Sequence, residues 1–431
     1  MRKRDLRKLI TVVSLIAAVA IVVPLMSGCL GKPAVAPPVA PPEVAPPVAP
    51  APEAPEKAPT PEEEYDPALR PITAFKVYDA PRDVTIQEQI EQGRVVIEPW
   101  ELPEPATQPW KIAVLFPLMN AYWLINNYGV FLEADRLGVH TLLLSAGGYV
   151  NLEKQLAQTE DMVTLGVDII LLDPISYEGN NELTNWAVEQ GVPVICVVND
   201  MNASGLLSRV EVSYWEMGYQ CGMGLVQDMR DSGQKMATVA SLPGPPGAGW
   251  SIAWEEGFIT ALDEYMAERA DVTIQHVVTR WGDNEKAAQL ILVEDVLTTY
   301  GDQLHYLCGC APAASAAVYT ARAMGLEGKV KVGSGFPDSL TIEHCRKGEI
   351  FVVPTDQAVD QQRIAMGLAV MYLEGRIAKE DIPLAIGPVV KRLTPANIGG
   401  FDLGSSLEPV GYEAIFEYIP GETIFKKFGT R

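Results

Sequence analysis

KIAVLFPLMNAYWLINNYGVFLEADRLGVHTLLLSAGG, residues 111–148, decides the architecture of this 431-residue chain. Lys111–Phe116 is an almost unbroken apolar run, short enough for a strand and without the alternation of a half-exposed one. Ala121–Leu137 follows with helical spacing, and Thr141–Ser145 is a second apolar run that leads into Gly147-Gly148. A continuous strand, a helix and another continuous strand predict parallel pairing with both sheet faces covered.

Outward from this unit the pattern repeats. Strands are predicted at Val167–Asp173 and Val192–Asn199, with helices near Asn151–Leu165 and Gly179–Glu189. A second series has strands at Met236–Leu242, Val272–Thr279, His305–Cys310, Val330–Ser334 and Phe351–Pro354. Its helices lie near Gly249–Glu268, Asn284–Tyr300, Pro312–Met324 and Asp338–Lys347. Tyr214–Arg230 sits between the series, and Asp356–Glu374 closes the second. A single barrel needs about eight strand–helix units, so the count alone does not exclude one. Three crossings favour two lobes instead. Ser208–Ser213 links the series without a helix, Phe351–Thr355 reads as a return, and Gly387–Leu393 reads as a third crossing strand. The expected fold is α/β and two-lobed, each lobe a doubly wound parallel sheet, joined by crossing hinge strands. Residues 110–212 form lobe 1, 213–353 form lobe 2, and 354–431 return to lobe 1, add the hinge strand and end in a tail.

The N-terminus is of another kind. Arg2, Lys3, Arg4, Arg7 and Lys8 precede the apolar run Leu9–Met26, and Ser27-Gly28-Cys29 follows. A basic head, an apolar stretch and small residues before a cleavage point make a secretory signal over 1–28. The cysteine after Ser-Gly resembles a bacterial lipobox, which implies lipidation at Cys29. An uncleaved membrane helix is the other reading of that run. Residues 29–64 form a Pro/Ala-rich tether, with 12 prolines in the 29 residues from Pro33 to Pro61. Proline fixes φ and lacks an N–H, so this stretch favours extended polyproline II rather than core. Residues 65–109 are a mixed lead-in, expected to pack partly on the folded domain.

The chain carries 33 Lys+Arg against 55 Asp+Glu, a formal charge of −22. Removing residues 1–28 takes away five basic and one acidic residue and deepens that to −26. Such acidity excludes nucleic acid, whose phosphates need Lys and Arg, and disfavours electrostatic docking to anionic lipid.

Five motifs now stand in order. They are Ala121-Tyr122-Trp123-Leu124 with Asn127-Tyr128-Gly129; Ala146-Gly147-Gly148-Tyr149 with Asn151-Leu152; Pro243-Gly244-Pro245 with Gly247-Ala248-Gly249-Trp250; Trp281-Gly282-Asp283; and Pro354-Thr355-Asp356 with Gln361 and Arg363. From Trp110 to about Arg376 the chain resembles the type 1 periplasmic binding proteins, ribose-binding-like. Within them it is most similar to the TorT group of trimethylamine N-oxide sensors. The resemblance implies a solute-binding protein that closes on a small ligand and signals to a membrane sensor histidine kinase. The alternative is a receptor for a sugar or another small polar solute, serving an ABC permease. Either reading places the protein in the periplasm or on the outer face of the cell membrane, lipid-anchored through Cys29.

In doubly wound sheets ligands sit beyond the carboxyl ends of the strands. Aromatic residues recur there: Tyr122 and Trp123 after the first strand, Tyr149 after the second, Trp250 and Trp281 after two strands of the second series. A methylated ammonium has no N–H donor and is held best by aromatic faces, whose quadrupole attracts cations. The oxygen of trimethylamine N-oxide needs a Tyr O–H or Trp N–H donor. Asp173, Asp283 and Asp356 supply acceptors near the cation. Aromatic faces with Asp and Arg also suit sugars.

Other chemistry is missing from the sequence. Gly244–Gly249 opens a helix but is followed by Trp250-Ser251, not the Lys-Ser/Thr of a phosphate loop. The four histidines form no His-x-x-x-His pair, and there is no Gly-x-Ser-x-Gly elbow. No catalytic residue, metal or cofactor is expected. Besides Cys29 there are five cysteines, Cys196, Cys221, Cys308, Cys310 and Cys345. An odd count leaves one unpaired unless a partner chain joins; buried free thiols are expected, with one disulfide left open.

Overall fold

The structure is a computed structural model, and it describes residues 67–78 and 86–422. The signal over 1–28, Cys29 and the tether over 29–64 lie outside the described residues. Among the described residues no helix is long and apolar enough to cross a membrane.

The lead-in supplies strand β1 (Ile72–Val77), a short helix α1 (Ile86–Glu91) and strand β2 (Val95–Trp100). The first alternating series is β3 (Lys111–Phe116), α2 (Ala121–Leu137), β4 (His140–Ser145), α3 (Leu152–Leu165), β5 (Ile169–Leu172), α4 (Asn181–Glu189), β6 (Val194–Val197) and β7 (Ser208–Val210). The second is α5 (Tyr214–Ser232), β8 (Met236–Gly244), α6 (Gly249–Glu268), β9 (Thr273–Trp281), α7 (Lys286–Tyr300), β10 (Tyr306–Gly309), α8 (Ala311–Ala323), β11 (Lys331–Ser334), α9 (Ser339–Arg346) and β12 (Ile350–Thr355). The chain ends with α10 (Ala358–Leu373), β13 (Ala385–Pro388), β14 (Lys391–Leu393) and β15 (Glu417–Tyr418).

These strands make two sheets. The nine-stranded sheet runs β15-β4-β3-β5-β6-β7-β13-β1-β2, and the six-stranded sheet runs β14-β12-β11-β10-β8-β9. From β4 to β13 the first sheet is parallel, and β12 to β9 in the second is parallel too. β1, β2, β14 and β15 pair antiparallel at the margins. Continuous apolar strands explain the parallel centres: Ile112–Phe116 and all of β5 and β6 are buried. The fold is therefore the expected two-lobed α/β arrangement.

The chain passes between the sheets after β7, after β12, after β13 and again after β14. The third crossing is not one strand over Gly387–Leu393. It is two short strands in different sheets, β13 and β14, with residues 389–390 between them. Gln357, just past β12, is one of two non-glycine residues with positive φ among the described residues, at φ 52. Such a backbone persists only where its surroundings hold it. Here the Gln357 side chain donates to Val389 O at 2.6 Å and so ties two crossings together. In lobe 2, α5 and α6 approach backbone to backbone. A Cβ on Gly218 would lie 1.8 Å from Trp254 O, and one on Gly257 1.9 Å from Trp215 O. All five described cysteines are buried and free.

α2 and α10 pack on one face of the first sheet around a buried ion network. Arg363, fully buried, donates to Glu133 at 3.3 Å and to the carbonyls of Arg70 at 3.2 Å and Ala68 at 2.5 Å. Arg70 in turn donates to Asp360 at 2.7 Å. The network anchors the lead-in. Arg363→Leu leaves buried Glu133 with Arg136 as its remaining cation, which costs about 1.5–3 kcal/mol. Urea unfolding will show this as a lower midpoint. A loss under about 1 kcal/mol, the value of an exposed pair, contradicts it.

Candidate functional site

In each sheet the strand order reverses next to the first strand of its series. β3 sits between β4 and β5, and β8 sits between β9 and β10. Diverging helices open a crevice at the carboxyl ends of such strands. Asn120 caps α2 there, its side chain accepting from Trp123 N at 3.2 Å, and so fixes the turn that presents Tyr122 and Trp123. The same Asn120 donates to Asn284 O of lobe 2 at 3.2 Å, joining the two rims.

Six aromatic side chains meet across the lobes. Tyr122 lies 5.5 Å from Trp123 and 5.0 Å from Phe336, ring centroid to centroid. Trp250, at the start of α6, lies 6.3 Å from Tyr149, 6.1 Å from Tyr214 and 5.8 Å from Phe336. Most of these pairs are edge-to-face or tilted. Each is worth about 0.5–1.5 kcal/mol beyond its area, so the box is held by its own rings. The Tyr149 hydroxyl accepts from Asn199 at 2.9 Å, which fixes its direction.

Carboxyls complete the box. Tyr122 donates its hydroxyl to Asp356 Oδ2, at the second crossing. Asp173, at the end of β5, accepts at Oδ1 from Gln362 of α10 at 3.1 Å. Both aspartates are fully buried. Asp173 Oδ2, Asp356 Oδ1 and Asp283 Oδ1 have no hydrogen-bond partner among the described residues, and neither do the indole N–H groups of Trp123 and Trp250. Burial pushes the Asp173 carboxyl well above its ordinary range. Burial also raises Asp356 to about 6, against the opposing Tyr122 hydrogen bond. Burial and the Asp356 charge together raise Tyr122. A buried ion without a counter-charge is costly in an apolar interior. The site therefore accepts either protons or a cation. Its ring faces suit a cation without N–H groups, and its two indole donors suit an attached oxygen.

The structure brings together Tyr122, Trp123, Tyr149, Asp173, Trp250 and Asp356. Asp283 lies at the rim beside Asn284. Trp281 stands apart from the box, 37% exposed at the end of edge strand β9. Two box residues escaped the sequence reading, Phe336 and Tyr214. Phe336 follows β11 and obeys the same strand-end rule, so that rule applied once more would have found it. Tyr214 begins α5 directly after a crossing. Among the described residues no cluster of three or more His, Cys, Asp or Glu is placed to hold a metal ion.

A family model described as "Periplasmic binding protein domain" matches residues 112–377. The chain belongs to the periplasmic binding proteins. The "Periplasmic protein TorT" of Escherichia coli (strain K12) is 31% identical to this binding protein over 320 residues, 73% of this chain and 87% of that one. A solved ABC transporter solute-binding protein from Bradyrhizobium sp. BTAi1, with bound bis-tris, is 32% identical with a TM-score of 0.66. That match covers 83% of this chain and 100% of the other. A structure of the TorS sensor domain–TorT complex in the presence of TMAO (trimethylamine N-oxide) is 26% identical with a TM-score of 0.62. It covers 71% of this chain and 99% of that one.

The raised Asp356 carboxyl gives this binding protein a pH signature with a definite sign. A carboxyl that binds its proton more tightly when folded adds stability at low pH, and that stability is lost as pH rises from about 3.9. The loss is complete above about 6. Asp356→Asn is thus nearly neutral near pH 4 and gains up to about 3 kcal/mol over the wild type by pH 7. Denaturant unfolding at the two pH values measures the difference. An equal effect at both shows that Asp356 does not titrate in this window.

Proposed function

We propose that this periplasmic binding protein takes trimethylamine N-oxide, or a similar small methylated solute, into the aromatic box between its lobes. We propose also that it reports closure to a membrane sensor kinase. One observation carries the reading: ring faces from both lobes surround buried carboxyls to which the described residues supply no cation. A methylated nitrogen places its diffuse charge against Trp123, Tyr149 and Trp250 and beside Asp173 and Asp356. The oxygen meets the unpartnered indole N–H groups. Contacts from both lobes make the closed form the tighter binder, so the ligand shifts the hinge. The TorT relative and the TorS–TorT complex support both the ligand class and a sensor partner. Acidity favours cationic or zwitterionic solutes over anions. The largely buried arrangement of rings and carboxyls suits binding rather than turnover.

A second reading is a receptor for an ABC permease, carrying a sugar or another small polar solute. The Bradyrhizobium structure favours it, being 32% identical and described as an ABC transporter solute-binding protein. Calorimetry on the mature chain separates the readings. Trimethylamine N-oxide should bind, ribose should not, and Trp123→Ala or Trp250→Ala should weaken binding by about tenfold or more. Tight sugar binding with no trimethylamine N-oxide signal sinks the first reading in favour of the second.

The location follows from the same proposal. The chain is held at the outer face of the membrane by a lipid on Cys29 and spaced from it by the proline tether, which at about 3.1 Å per residue reaches on the order of 90 Å. Cys29→Ser should move the protein from the membrane fraction to the soluble one. Retention in the membrane points to an uncleaved N-terminal helix.

A further inference from the structure

Beside Trp250 the two lobes border a half-open pocket of about 460 Å³. Helix α1, the loops after β5 and β6, the first crossing and the start of α6 form its walls. Its lining among the described residues holds the carboxylates Glu88, Glu91, Asp200, Glu211 and Glu256, and no described Lys, Arg or His. Tyr177, Trp215, Tyr214 and Trp250 supply aromatic faces, and the last two also belong to the box. Glu211 decides what the cavity is for. It is 1% exposed, and neither of its carboxylate oxygens accepts from an N–H or O–H donor among the described residues; its carboxyl lies against that of Asp200, and the Arg209 charge reaches both. Arg209 lies against Asp200, with Nε 3.6 Å from Oδ1. Burial, then the neighbouring Asp200 charge, pushes the Glu211 carboxyl well above the usual range.

An acidic lining with aromatic walls selects a cation. No described cluster has the arrangement to hold a metal ion, so the cation that fits is organic. Here the requirement differs from that of the box. Carboxylates only accept hydrogen bonds when ionised, so the cation must bring N–H donors. We propose that this chamber is a second binding site, taking a protonated primary or secondary amine. The ammonium group lies at Glu211 and Asp200, and the carbon chain lies along Tyr177 and Trp215. The site stands apart from whatever the aromatic box holds, although Trp250 lets the two sense each other.

Putrescine tests this on the mature chain by calorimetry, with butanediol as the uncharged counterpart. Putrescine should bind and butanediol should not. Glu211→Gln should weaken putrescine by at least about tenfold, while Asp173→Asn, which alters the box alone, leaves it unchanged. Trimethylamine N-oxide titrations into Glu211→Gln report on the box independently, whatever its occupant. Glu91→Gln, on the exposed helix α1, should weaken putrescine a few-fold and serves if Glu211→Gln does not fold. The proposal is overturned if putrescine fails to bind the wild type. It is also overturned if both glutamate variants bind putrescine normally, or if Asp173→Asn alone abolishes binding, which places the amine in the box.

Discussion

Two aspartates buried without a cation dominate the physics of this protein. Asp173 and Asp356 are fully buried, each with one oxygen paired and one unpaired. In an apolar interior that arrangement is unfavourable for the ionised form, and both carboxyls titrate high as a result. Structures retain such groups where something outside the chain completes them. The surrounding rings of Tyr122, Trp123, Tyr149, Trp250, Tyr214 and Phe336 fit the same ligand, because a ring face attracts a cation that a carboxylate neutralises.

The fold serves that arrangement by bringing three crossings and two sheet switch points to one place. Asp356 sits at the second crossing and bonds Tyr122 of lobe 1, while Gln357 beside it holds the third crossing. Asp356 thus stands where two crossings are tied together. The buried Arg363–Glu133 and Arg70–Asp360 pairs lie on the far side of α10 and fasten the lead-in to lobe 1. α10 consequently carries the second-crossing chemistry at its start and a rigid ionic anchor one turn later.

Much of this was legible in the sequence, for identifiable reasons. Helices α2 and α6 have the expected bounds, Ala121–Leu137 and Gly249–Glu268, because each lies between a continuous apolar strand and a glycine or polar loop. β1, β2 and β15 were not legible. They are short antiparallel margins: β1 and β15 join strands far away in the chain, β13 and β4, and β2 pairs only with β1. The split of Gly387–Leu393 between two sheets was hidden because extended residues look alike whichever sheet they join. In the site, the strand-end rule found lobe 1's aromatics and Trp250. It also named Trp281, which the structure leaves apart from the box, 37% exposed at the end of edge strand β9. It stopped short of Phe336 and Tyr214, whose role depends on contact across the lobes, which no local pattern encodes. The acidic chamber was invisible for the same reason: Glu91, Asp200, Glu211 and Glu256 come from four separate segments.

The central claim is that an organic cation replaces the missing counter-charge inside the aromatic box. A crystal structure of the mature protein grown with trimethylamine N-oxide tests it most directly. The account predicts methyl groups against Trp123, Tyr149 and Trp250, nitrogen beside Asp173 and Asp356, and the oxygen on an indole N–H. A ligand bound elsewhere with the box collapsed, or a box filled only by its own side chains at saturating ligand, contradicts it.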